Sequence, residues 1–167
     1  MPKRSKAETK QTVEQILLEA QRQILHMGYD VMSYSSLADA TGISRTGISH
    51  HFPHKSDFLL QLEPEFATLL IAELDFSDLK ALQLSWNRAL QSVTFSGIVK
   101  LVFSICGSNQ LTSCSFTTLS VLKAKVAQHL GHEGVLLINH LLGHSAMVLF
   151  SQVEQSNPQR VLTNVAV

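Results

Sequence analysis

The sequence predicts an all-α fold, with a helix-turn-helix in its first third and a helical bundle behind it. Three observations predict this. Apolar residues recur every three or four positions along most of the 167-residue chain, the spacing that lines one face of a helix. Ser, Asp and Gly fall where these runs begin and end, as helix caps do. No run has an evident strand partner.

The first helix is predicted over residues 9–27, with Val13, Ile16, Leu17, Ala20, Ile24 and Met27 on its buried face and Gly28 as its left-handed stop. Ser33 then caps a short helix that turns Leu37, Ala38 and Tyr34 inward and ends at Gly42. Ser44 caps a second short helix over 45–51 with Ile48 facing in, and Pro53 stops it because proline disfavours helical geometry in the residue before it. Two short helices joined by a tight glycine turn make a helix-turn-helix.

Helical spacing continues from His54 through Phe58, Leu59, Leu62, Phe66, Leu69, Leu70 and Leu74, with a kink expected at Pro64. Residues 75–78 break the pattern, and Ser77 or Asp78 can cap the next helix over 79–92, which places Leu82, Trp86 and Leu90 on one face. Residues 94–105 are predicted as helix, although their Val and Ile content also permits a strand. A loop over 107–113, helices over 116–130 and 133–152, and a polar tail with Asn157 and Pro158 complete the chain. This divides it into a helix-turn-helix domain at 1–53 and a second helical domain at 54–167.

Thirteen Lys and Arg balance thirteen Asp and Glu, which argues against nucleic-acid binding by bulk charge. Charge is nevertheless placed unevenly. Between Ala40 and Ser56 there is no acidic residue, while Arg45, Lys55, His50, His51 and His54 all lie there, a local electropositive segment. A helix beginning after Ser44 would point its first amides and Arg45 outward, suited to phosphates or guanine edges. Lys55, at the start of the next helix, would be placed for a phosphate.

No segment has signal-peptide form. The apolar stretch 134–150 is shorter than a membrane span needs and contains Asn139, His140 and His144, so it is expected to be a buried or interface helix. A soluble cytoplasmic protein with no membrane partner is expected. Cys106 and Cys114 are too few for a disulfide framework and carry no neighbouring cation in sequence to activate them, which favours buried packing over a redox switch.

Residues 36–59, SLADATGISRTGISHHFPHKSDFL, closely resemble the DNA-binding signature of TetR-type transcriptional regulators. The resemblance rests on the turn Gly42-Ile43-Ser44, the recognition helix ending in His51-Phe52, and Lys55 two residues after Pro53, and with the first helix and Gly28-Tyr29 it covers about the first 60 residues. It implies a homodimer that binds a palindromic double-stranded DNA operator, probed by Ser33, Ser44, Arg45, Thr46, Gly47, Ser49, His50, His51 and Lys55. It also implies a C-terminal domain for dimerisation, and for a small ligand that releases the repressor from DNA. A ligand-independent DNA-binding protein, controlled by a protein partner on the C-terminal helices, is the alternative. Where the family usually carries Thr, an aliphatic residue and Tyr, this chain has Gly47, Ile48 and Ser49. One reading of Gly47 is that it lets the backbone approach DNA closely; the other is that a dimer tolerates a slightly loose recognition helix.

Trp86, Phe95, Phe103, Phe116, His140, His144 and Met147 are the residues available to line a ligand pocket, although most aromatics must be ordinary core. With Lys100 the only charge from Val93 to Cys114, such a ligand would be apolar. His129, His132, His140 and His144 invite a metal reading, but no matching Cys or Glu motif accompanies them, and a pocket or dimer seam is preferred. No cofactor or metal is expected, and no phosphate loop, nucleophile elbow or His-Glu-x-x-His motif suggests an enzyme. Residues 133–152 are apolar well round the helix, which marks them for an intersubunit bundle. The basic residues Lys3, Arg4, Lys6 and Lys10 read as a solvated arm rather than a groove-binding one.

Overall fold

The computed structural model describes residues 6–106 and 117–156. Among these residues there are seven helices and no strand, so the all-α prediction holds and residues 94–105 are helix.

Helix α1 (Lys6–Met27) begins three residues earlier than the apolar pattern suggests. Lys6 and Lys10 therefore belong to this helix, with Lys10 3.6 Å from Glu14 one turn on. Met27, expected inside, is exposed at the helix end, while polar Gln23 is buried. The inversion has a polar cause: the Gln23 amide donates to the Ser36 carbonyl and accepts from the Ser36 hydroxyl at 2.6 Å, fastening α1 to the next helix.

Helix α2 (Tyr34–Thr41) is capped by Ser33, whose hydroxyl accepts from the Ser36 N–H while the Ser36 hydroxyl accepts from the Ser33 N–H. Gly42 closes it at φ 70°, a left-handed position that glycine occupies without the Cβ penalty. Helix α3 (Arg45–His51) is capped by Ser44 and buries Ile48. Phe52 follows, fully buried and stacked on Phe58 with centroids 4.4 Å apart.

Helix α4 (Lys55–Ala72) continues through Pro64 and buries Phe58, Leu59, Leu62, Phe66, Ala67 and Leu70. Helix α5 (Leu79–Ala89) is capped by Asp78 rather than Ser77, through the Ala81 N–H at 2.8 Å. Helix α6 (Val93–Cys106) turns away from it by 95°. Gly97 brings α6 against α1 so closely that a Cβ there would lie 2.5 Å from the Leu25 carbonyl oxygen.

Helix α7 (Thr118–Ser156) is broken at Gly131 (φ 64°, ψ −155°) into two limbs, matching the two predicted helices. The Glu63 carboxylate of α4 accepts from the Thr117 and Thr118 N–H groups and so caps the first limb. Thr118–Gln152 is long and apolar enough by length and composition to cross a membrane. Its buried side, however, packs on α4, α5 and α6.

One apolar core runs through the molecule, from Ile16, Leu37 and Ile48 through Phe66 and Trp86 to Ile138 and Leu149. Helix α4 is its spine, touching α1, α6 and α7.

Candidate nucleic-acid interface

The sequence builds α3 as a two-sided element. Ile48 is buried and Ile43 packs against the core, so the inward side is apolar and anchors the helix. The opposite side exposes Arg45, Thr46, Ser49 and His50, with His51 half-buried behind them. None of these is acidic. Arg45 makes no hydrogen bond or ion pair among the described residues, which leaves its five N–H donors free for an acceptor. The His50 and His51 rings meet edge to face at 5.4 Å, and the Ser49 hydroxyl donates back to the Thr46 carbonyl at 3.2 Å.

Ser44 and Gly47 serve the helix itself. The Ser44 hydroxyl accepts from the Gly47 N–H at 3.1 Å, which satisfies one of the otherwise unpaired amides of the first turn. A Cβ at Gly47 would lie 3.2 Å from both Ile43 Cγ2 and Ser44 Oγ. Both are side-chain atoms beside the turn between α2 and α3, and a shift of a few tenths of an ångström on their part would admit a methyl group.

Ser33 is exposed, but its hydroxyl is engaged in the α2 cap. Lys55 is half-buried, and its ammonium turns back to donate to the Asp30 carbonyl at 3.2 Å while lying 4.5 Å from the centre of the Tyr29 ring. Burial lowers its pKa, partly offset by the nearby Asp30 carboxylate. Asp30, which sequence reasoning missed, also accepts from the Ser104 hydroxyl of α6 at 2.9 Å. It therefore ties α6 to the turn that positions Lys55. A pairing between positions 30 and 104 leaves no periodic signal in a sequence.

The result is a short capped helix with a basic and polar outer face, held by a second helix and a glycine turn. The comparisons with known families match that arrangement at both ends of the chain. Residues 16–62 match the family model for bacterial regulatory proteins, tetR family, and residues 64–149 match that for the tetracycline repressor LuxT C-terminal domain. The chain belongs to the TetR family. No curated protein matches it. As a TetR-family protein it is a DNA-binding transcriptional regulator, of a family that is generally not enzymatic. The two matches meet inside α4, between residues 62 and 64.

The residues predicted for a ligand pocket in this TetR-family chain are dispersed. Trp86 and Phe95 are fully buried, in contact with each other at 5.0 Å, and the Trp86 indole N–H donates to the buried Ser145 hydroxyl at 2.9 Å. Phe103 is half-buried against the core. His140, His144 and Met147 lie on the exposed side of the second α7 limb, and Phe116 lies outside the described residues. None of them lines the open groove of about 540 Å³ between α4 and α7, which is formed by Pro64, Ala67, Thr68, Ile71, Ala72, Val121 and Lys125. Aromatic residues at helical spacing identify a face but not its depth in the molecule. Cys106 is free and exposed, contrary to the buried packing expected of it, because it falls at the last turn of α6. Cys114 lies outside the described residues, as do Lys3 and Arg4.

Proposed function

We propose that this regulator is a cytoplasmic homodimeric repressor that reads a palindromic operator with α3 and is released by a small apolar ligand. The observation that carries the reading is the outer face of α3, where Arg45, Thr46, Ser49 and His50 are exposed while Ile48 anchors the helix beneath them. Arg45 reads base edges in the major groove, where a guanidinium can engage guanine in two hydrogen bonds. Thr46, Ser49 and His50 are its neighbours at the interface. Ser33 and His51 contact phosphates from its edges, and Lys55 joins them by swinging its ammonium off the Asp30 carbonyl.

The dimer uses the second limb of α7. Leu136, Met147 and Phe150 are 53%, 67% and 61% exposed there, more apolar surface along one helix than a lone chain needs to show to water. The ligand acts through α4. An apolar molecule in the groove between α4 and α7 would bear on Pro64, Ala67 and Ile71, on the same helix whose start holds Lys55. Moving α4 changes the separation of the two α3 helices in the dimer and hence their fit to half-sites one helical turn apart.

The test is selection of bound sites from random duplex DNA at a fixed near-physiological salt, with wild type and Arg45→Ala in parallel. The wild type enriches an inverted repeat, and the variant loses ~1–3 kcal/mol of affinity with relaxed choice at one base position. A variant with unchanged affinity and selectivity would remove Arg45 from base reading.

A further inference from the structure

The exposed side of the second α7 limb holds two imidazoles that DNA reading does not use. His140 and His144 are four residues apart on a continuous helix, which stacks their side chains on one row about 5–6 Å apart. Both are exposed, and neither makes a hydrogen bond or ion pair among the described residues, so each keeps a nitrogen lone pair to offer. Two imidazoles at this spacing form half of a tetrahedral zinc site. Among the described residues, no group of three or more metal-ligating side chains comes together within one chain. The other half must come from elsewhere.

We propose that a second copy of the chain completes a divalent transition-metal site at the dimer seam, with His140 and His144 from each chain around one ion. The inference rests on the dimer reading above. At about 100° per residue, Leu136, Gly143, Met147 and Phe150 form the middle of the exposed stripe, and His140 and His144 lie on the same flank of it. When two such helices pack antiparallel about a two-fold axis in the seam, each flank meets its own counterpart. Residues at equal distances on either side of the axis then face each other. An axis near position 142, midway between the two histidines, brings all four imidazoles together. Gly143 sits beside that point, and the space where a Cβ would go is open, so the two backbones can approach closely there. Four neutral nitrogen ligands suit zinc over calcium or magnesium, which prefer oxygen.

The experiment uses the untagged full-length chain with zinc as the probe. Zinc is titrated against a chromophoric chelator, and mass in solution is measured by sedimentation equilibrium, both in chelator and in zinc. The expected result is one zinc per two chains and a dimer that zinc tightens. His140→Ala or His144→Ala weakens zinc binding by roughly 100-fold or more, beyond the cost of losing a residue that merely supports a ligand. Both histidines are exposed, so the variants keep the wild-type melting temperature in chelator. A dimer that binds no zinc, binds one per chain, or binds it equally well in both variants overturns the metal site and leaves the dimer standing. A chain that stays monomeric with and without zinc overturns the dimer reading, and the site with it.

Discussion

Replacing Gly97 by alanine is expected to destabilise the protein, although the exchange favours helix in general. In a helix interior, alanine is more stable than glycine by ~1 kcal/mol. At position 97 the added methyl would lie 2.5 Å from the Leu25 carbonyl oxygen, 3.0 Å from its Cα and 3.1 Å from its carbonyl carbon. All three atoms are backbone of α1, so no side chain can rotate away. Relief requires α6 and α1 to separate by roughly 1 Å over their shared contact, a strain of the size that costs ~1–3 kcal/mol in overpacked cores. The balance is a net loss of up to ~2 kcal/mol. Urea unfolding of wild type and Gly97→Ala measures it as a lower midpoint at an unchanged slope. A variant stabilised by ~1 kcal/mol would show that the helix preference alone operates, and that α6 does not rest on the α1 backbone as described.

Two further substitutions test buried polar contacts. Ser145→Ala removes the acceptor of the Trp86 indole N–H in a fully buried setting, and should cost ~1–3 kcal/mol by equilibrium denaturation; an unchanged stability would mean that the indole finds another partner. Tyr34→Phe removes a hydroxyl that donates to the Phe52 carbonyl at 2.8 Å and should cost ~1 kcal/mol at neutral pH. Burial, and then the Asp57 carboxylate, raise the pKa of this phenol, so its contribution is complete below the ordinary phenol value near 10 and is lost as pH rises through the folded value. The stability gap between wild type and Tyr34→Phe should therefore close above about pH 10, and a gap constant to pH 11 would refute the assignment.

Much of this architecture was legible because helix ends are encoded locally. Ser33, Gly42, Ser44 and Asp78 act within three or four residues of themselves, so their chemistry can be read without knowing the fold. The outer face of α3 follows from the same logic once Ile48 is placed inward. What escaped were features set by distant partners. Gln23 is buried because Ser36 awaits it, Lys55 is turned aside by Asp30, and Asp30 is held by Ser104. Trp86 and Met147 occur at similar helical spacing, yet one is sealed against Phe95 and the other faces outward. Only the packing of α5 against α7 decides between them.

Helix α4 begins beside the reading head, ends beside α7, and runs through Pro64 without a linker. The seam between the two families of sequence thus falls in the middle of one continuous helix rather than in a loop. Anyone grafting this reading head onto another sensor would need to splice inside that helix in register, since one added residue would rotate everything beyond the join by about 100°. The graft must also supply a surface that fits α1 where Gly97 now rests. Ready interchange of heads and sensors is not built into this chain; each half is shaped to its own counterpart.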